Sequence, residues 1–194
     1  MVVNLTKGGV VNLSKQAPGL RNVVVGLGWD PVKGGLFKRS ANIDCDAFAF
    51  VLKNGKLKSS SDNVYFGNLT HSSGAVKHMG DNLTGDGDGD DEQIFIKLDS
   101  VPADCNEIVI GVNIYSAKTR HQNFGQIDNA FIRLVDNMNG AEICRYNLSR
   151  EAGYADATTV VFGSLVKMGS EWEFKALGEP SKAGSIGELS REYM

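Results

Sequence analysis

Residues 79–92 read Met-Gly-Asp-Asn-Leu-Thr-Gly-Asp-Gly-Asp-Gly-Asp-Asp-Glu. From Asp81 to Glu92 there are six carboxylates in twelve residues and no base. Two unit charges ~6 Å apart in water repel by roughly 0.7 kcal/mol, and by more where water is displaced. A folded loop holding all six must therefore stay splayed and solvated, or close around a cation. The spacers are Gly85, Gly87 and Gly89, and glycine's access to positive φ lets such a loop curl and turn its oxygens inward. The candidate ligands are all oxygens: the Asp and Glu carboxylates, Asn82, the Thr84 hydroxyl and main-chain carbonyls. That chemistry suits a hard cation, and a flexible, carboxylate-rich loop suits Ca²⁺ better than Mg²⁺. Zinc would want His or Cys, and only His78 is near.

An EF-hand register fails. With Asp86 first, position 6 is Asp91 where glycine is needed, and position 12 is Lys97 where glutamate is needed. With Asp81 first, position 3 is Leu83. A calcium loop of another kind and a solvated acidic turn both fit the local pattern. A second acidic pair lies in Asn42-Ile43-Asp44-Cys45-Asp46, at the head of an apolar run. Two residues apart in a strand, Asp44 and Asp46 share a face, and they need a cation or a base such as Lys53 or Arg39. Asp30, in Gly28-Trp29-Asp30, is a third candidate.

Those residues must be positioned by strands. Ile94, Ile96 and Leu98 alternate, as do Ile108, Ile110, Val112 and Ile114, and Trp172, Phe174 and Ala176, which marks half-buried strands. Val23-Val24-Val25 and Ala47 to Leu52 are apolar on both faces and read as central strands. Val2 to Lys7 (V-V-N-L-T-K) and Val10 to Lys15 (V-V-N-L-S-K) form an internal repeat. A hairpin through Lys7-Gly8-Gly9 would keep one face of that pair apolar. Asp30 to Asn42, Lys53 to Asn63 and Met79 to Glu92 read as long loops. The expected fold is all-β: a β-sandwich of two mainly antiparallel sheets, about ten strands and little helix, in one domain over 1–194, with 178–194 a short helix or tail.

The chain has 194 residues, with 20 Lys plus Arg against 23 Asp plus Glu. That balance argues against a nucleic-acid binder, and 42% hydrophobic content argues against disorder. No apolar run reaches the roughly 18 residues of a membrane span, and the start lacks the form of a signal peptide. Cys45, Cys105 and Cys144 make no Cys-x-x-Cys pair and read as core thiols in a cytoplasmic protein. Trp29 and Trp172 read as core aromatics, and His71, His78 and His121 as surface or structural residues. No nucleophile elbow or phosphate-binding loop is present, so the chain reads as no enzyme. A metal-assisted hydrolase would need a general base that the sequence does not nominate. Cys45 between two acids should have a raised pKa and little thiolate chemistry.

Several stretches together resemble the TerD family of tellurium-resistance and stress proteins. They are G-D-N-L-T-G-D-G-D-G-D-D-E (Gly80 to Glu92), G-L-G-W-D (Gly26 to Asp30), I-D-C-D-A (Ile43 to Ala47), V-P-A-D (Val101 to Asp104), Q-N-F-G-Q (Gln122 to Gln126), N-A-F-I-R (Asn129 to Arg133), R-Y-N-L (Arg145 to Leu148) and W-E-F (Trp172 to Phe174). The acidic stretch is specific, and the short pieces gain weight from falling in order. The resemblance implies a bacterial cytoplasmic β-sandwich holding Ca²⁺, two ions at adjacent sites. It nominates Asp44, Asp46, Asp81, Asn82, Asp90, Asp91 and Glu92 as ligands, with Asp30, Thr84, Gly85 and Asp88 behind them. It further implies resistance to tellurite and other stresses, and assembly with other Ter-type proteins near the membrane. Ca²⁺-dependent membrane-surface binding, or binding of a small phosphate ligand such as a cyclic nucleotide, is the alternative. The sequence departs from the family pattern in Asn42 where many members carry an acid, in Cys45, in the Gly34 to Arg39 stretch and in the Leu177-Gly178-Glu179-Pro180 tail.

Overall fold

The computed structural model describes residues 2–32, 43–81, 89–148 and 152–194. Twelve strands lie among them: β1 Val3–Leu5, β2 Val10–Asn12, β3 Asn22–Pro31, β4 Cys45–Leu52, β5 Asn63–Val64, β6 Val76–Asp81, β7 Glu92–Lys97, β8 Glu107–Ile114, β9 Ile127–Asp136, β10 Glu142–Asn147, β11 Thr159–Met168 and β12 Glu171–Ser181. They form two six-stranded sheets, ordered β1-β10-β9-β3-β7-β6 and β2-β12-β11-β8-β4-β5. Every strand pairing in them is antiparallel except β1 with β10. The expected all-β sandwich is therefore the fold.

Period-two alternation builds the core. Ile94 and Ile96 of β7 turn inward, as do Val23, Val25 and Leu27 of β3. Across from them, Ile108, Ile110, Val112 and Ile114 of β8 close the other wall. Each such side chain contributes roughly 1.5–3 kcal/mol by leaving water. β4 is apolar on both faces because both are covered. Cys45, Ala47, Ala49 and Val51 face the sandwich interior, whereas Phe48, Phe50 and Leu52 face a second, outer cluster. Gly111 of β8 makes room there, since a Cβ on it would sit 2.5 Å from the Phe48 ring.

The expected N-terminal hairpin does not form. β1 pairs with β10 in the first sheet, and β2 pairs with β12 in the second. The repeat thus supplies one similar edge strand to each wall. Gly8 N–H and Ala176 N–H bond to Ala176 O and Gly9 O, so the glycine turn is itself anchored to β12. Both copies gain interior packing, with Val3 and Leu5 against the core and Val11 and Leu13 buried in it. A free hairpin would bury less.

Residues 178–181 continue β12 rather than ending it. Beyond them a helix, α3 (Ile186–Ser190), is capped by Ser185 Oγ, which accepts from Glu188 N–H. Its Ile186 and Leu189 cover Phe48 and Phe50, and the Tyr193 ring lies 5.2 Å from that of Phe50. Two further short helices, Leu13–Gln16 and Ala117–Arg120, connect strands. No described helix is long and apolar enough to cross a membrane.

Candidate functional site

The acidic segment hangs between two neighbouring strands of the first sheet. β6 ends at Asp81 and β7 begins at Glu92, and those two residues are paired in register. Asn82, Thr84, Gly85 and Asp88 lie outside the described residues, as do the side chain of Asp81 and residues 33–42 with Lys33, Lys38, Arg39 and Asn42. What the structure does define is the C-terminal root of the segment, Asp90, Asp91 and Glu92, and its surroundings.

Each root carboxylate has a different setting. Asp90 is gripped by Arg133 of β9 through two hydrogen bonds, Nε to Oδ1 at 2.7 Å and Nη2 to Oδ2 at 3.1 Å. Its side chain is only 1% exposed. It lies over Gly26 of β3, where a Cβ would come within 2.2 Å of the carboxylate. Gly26 is therefore a close-approach glycine, and Asp90 and Arg133 form a latch across the face of the central strands β3 and β9. A bidentate pair of this kind fixes geometry as well as charge.

Among the described residues, Asp91 is held by main chain alone. Its Oδ2 accepts from Trp29 N–H at 2.7 Å, and its own N–H donates to Leu27 O at 2.8 Å. Burial pushes its carboxyl above the ordinary aspartate range, and the charges of Asp30, Asp90 and Glu92 push it the same way, against the Trp29 N–H. Asp30 sits beside it on the register shift of β3 between Gly28 and Asp30. Asn129 of β9 faces that shift with a positive φ of 50° and donates Nδ2–H to Asp30 Oδ2 at 2.9 Å. A left-handed asparagine is strained but tolerable, and here it holds the Asp30 carboxylate in place.

Glu92 is buried, 3% exposed, and crosses between the sheets. Its Oε2 accepts from Ala47 N–H on β4, and His78 Nε2 of β6 lies 3.3 Å from the same oxygen. Gly80 N–H donates to His78 Nδ1, so Nδ1 is the acceptor nitrogen of that ring. Glu92 thus ties the acidic segment to the strand opening that contains Asp44 and Asp46.

Those two acids do not turn toward it. Cys45 and Ala47 face the interior, so Asp46 lies on the outer face of β4 with Phe48. Asp44 is exposed, and Arg120 Nη1 lies 3.5 Å from its Oδ2. The expected base Lys53 instead pairs with Asp104 at 2.6 Å. Cys45, between the two acids, is buried, and burial, followed by Asp46, Glu92, Asp44 and Asp91, drives its thiol well above the usual range. All three cysteines are buried and free. His71 is a structural residue between Ser73 and Asp62.

Arg133, Asn129, Gly26 and His78 were not among the sequence-nominated site residues. Arg133 and Asn129 lie in the N-A-F-I-R stretch, which was quoted only for its resemblance. Among the described residues no group of three or more His, Cys, Asp or Glu side chains is close enough to hold a metal. The donor chemistry of Asp30 and Asp91 still fits a hard cation. Asp91 is bonded to the residue that precedes Asp30, and neither carboxylate has a basic side chain among its hydrogen-bond partners in the described residues. A calcium ion, needing six to eight oxygens, would have to draw the remainder from that segment and from water.

A family profile described as "TerD domain" matches residues 1–193. The chain is 45% identical over 201 residues to "Stress response protein SCP2" of Bacillus subtilis (strain 168), covering all of both chains. It is 45% identical over 194 residues to "Tellurium resistance protein TerD" of Serratia marcescens, covering 100% of this chain and 97% of that one. Among solved structures, a homologue of telluride resistance protein (TerD) from Streptomyces coelicolor A3(2) superposes with a TM-score of 0.68 at 21% identity, covering 91% of this chain and 99% of the other. That likeness shows the fold.

Proposed function

The chain belongs to the TerD family of tellurium-resistance and stress-response proteins, and from that premise we propose that it is a non-enzymatic calcium-binding protein. Its role would be to present an interaction surface that the metal stiffens, in resistance to tellurite or related stress. The relatives are named for resistance and stress response, not for a reaction. The partners the family resemblance implies, other Ter-type proteins near a membrane, would read that surface in the cytoplasm.

The observation that carries this reading is the anchoring of Asp91 on Trp29 N–H, immediately before Asp30, where Asp91 is desolvated among acids. Such an arrangement costs stability until a cation offsets it. The bound ion would supply that offset and tie the acidic segment to β3. The chain's own residues do the positioning. Trp29 N–H orients Asp91, Asn129 orients Asp30, and Arg133 fixes Asp90. Asp90 is thereby an anchor rather than a free ligand. The remaining oxygens would come from Asp81, Asn82, Thr84, Gly85 and Asp88, and a second ion, as the family resemblance implies, would draw on the same segment rather than on Asp44 and Asp46, which lie on the far side of β4 from Glu92.

Thermal unfolding with calcium and with chelator tests this. Binding to the native state raises stability by RT ln(1 + [L]/Kd), about 2.7 kcal/mol at a hundredfold excess over Kd. Asp91→Asn should remove most of that rise. An unchanged melting temperature across calcium concentrations would contradict the reading.

A further inference from the structure

The sulfur atoms of the chain are distributed against the usual pattern. Methionine is among the residue types most often fully buried, and its flexible thioether commonly fills gaps in a core. Here both core clusters are built without one. The four described methionines are all exposed: Met79 at 54%, Met138 at 77%, Met168 at 56% and Met194 at 61%. The three cysteines are all buried and free. Among the described residues, the sulfur that meets solvent is therefore thioether, and the thiols lie behind it.

Main chain fixes each methionine in place. Met138 sits in the turn joining β9 to β10, where its N–H donates to Asp136 Oδ1 at 2.9 Å. Met168 ends β11 and pairs in register with Glu171, across a turn that carries Gly169 at a left-handed φ of 67°. Met79 lies within β6, the strand paired with β7. Met194 O accepts from Lys56 Nζ at 2.9 Å. Turn tips such as the first two ordinarily favour Gly, Asn, Asp or Ser, so an apolar thioether there stands away from any core.

That placement decides what oxidation does. The sulfur lone pair of a thioether attacks the terminal oxygen of a hydroperoxide. An S–O bond forms, the O–O bond breaks, and the leaving oxygen takes the hydroperoxide proton and departs as alcohol or water. The sulfur loses two electrons to become sulfoxide, and the peroxide gains them. No deprotonation is needed. A thiol, by contrast, reacts as its thiolate, and burial is the leading cause raising the pKa of Cys45, Cys105 and Cys144. A sulfoxide made in a core sets a polar oxygen among apolar side chains and disrupts their packing. One made at an exposed turn or strand position leaves the core as it was.

We propose that Met79, Met138, Met168 and Met194 are a set of oxidation sites, through which the folded protein takes up oxygen from a hydroperoxide, one atom at each thioether, with its thiols and its fold untouched. Methionine sulfoxide is returned to methionine by two reductases, one for each epimer, so the set is discharged and used again. The role is additional to calcium binding and does not require a metal at Asp30 and Asp91.

The test treats the full-length protein with hydrogen peroxide or tert-butyl hydroperoxide under native conditions and follows every methionine and cysteine by peptide mapping. Each of the four methionines should oxidise at a rate within about tenfold of methionine in a short unstructured peptide. All three thiols should still be reduced when the four are complete. The oxidised protein should melt within about 3 °C of the untreated one, and the two sulfoxide reductases together should restore its starting mass. A quadruple variant, Met79→Leu, Met138→Leu, Met168→Leu and Met194→Leu, should consume four fewer equivalents of hydroperoxide. Mapping of the parent protein decides the matter should that variant misfold. Oxidation of a thiol ahead of the methionines, or protection of any of the four by more than about tenfold relative to the peptide, would overturn the proposal. So would a larger fall in melting temperature on oxidation.

Discussion

Glu92 accepts a hydrogen bond from the main-chain N–H of Ala47, 45 positions earlier in the chain and on the opposite sheet. With His78 Nε2 lying 3.3 Å from the same oxygen, this buried carboxylate is a bolt between the two walls, at the root of the acidic segment. It does not behave as the spare ligand that its place in the sequence run suggests.

Glu92→Ala should therefore destabilise the protein by about 1–3 kcal/mol, since it orphans the buried Ala47 N–H and empties the space beside the buried His78 ring. Glu92→Gln keeps an acceptor and should cost less. Urea unfolding, read as a change in midpoint at constant slope, measures both.

Arg133→Ala should leave Asp90 buried without its bidentate partner. Loss of hydrogen bonds to a charged group costs about 1.5–3 kcal/mol, and the unpaired acid adds to that. Gly26→Ala should act through the same latch, because its Cβ would meet the Asp90 carboxylate. In a double-mutant cycle the two changes should be strongly non-additive. Additive losses would separate Gly26 from the latch.

Alkaline stability follows from groups held neutral in the fold. Burial pushes the Cys144 thiol up to about 12, with Glu142 adding to it. Burial likewise pushes Tyr193 up to about 12, with Glu179 next. In the unfolded chain these groups lose their protons near ~8.5 and ~10. Between those values and about 12 the native state binds more protons than the unfolded state, so stability is full below pH ~8.5 and falls as pH rises through this window. Cys144→Ala should reduce the slope from pH ~8.5 upward while leaving the share of Cys45 and Cys105, and Tyr193→Phe should reduce it above pH ~10, as read from denaturant midpoints across pH.

The thiols also predict a reactivity pattern. Cys45, Cys105 and Cys144 are all buried, and burial is the leading cause raising each pKa. A disulfide reagent should react slowly with the native protein and with three equivalents on unfolding. Rapid modification of one native thiol, located by peptide mapping, would show which of the three opens to solvent.

Much of this was legible in the residues. Alternation at Ile108 to Ile114 and Ile94 to Ile96 marked strands because each such strand has one face on the core. The doubly apolar Ala47 to Leu52 marked a covered strand, though the cover on its outer face, Ile186 and Leu189, lies in a tail that carries little signal of its own. The repeat at Val2 and Val10 suggested a hairpin because local pairing is the nearest use of two similar strands. Sequence alone gave no sign that β10 and β12 offer each copy an edge. Spacing puts Asp44 and Asp46 on one face, but period two does not tell which face, and Asp46 lies on the outer one with Phe48. The partners of the acids, Arg133 and Asn129, come from over 35 positions away, a distance at which spacing in sequence carries no geometric information.

The central claim is that a calcium ion closes the acidic segment against Asp30 and Asp91. Calorimetric titration of chelated protein with calcium, run beside Asp91→Asn and Asp30→Asn, tests it most directly. Saturable heat in the parent protein, reduced at least about tenfold in affinity in either variant, is the predicted result. The absence of heat at millimolar calcium, or undiminished binding in both variants, would contradict it.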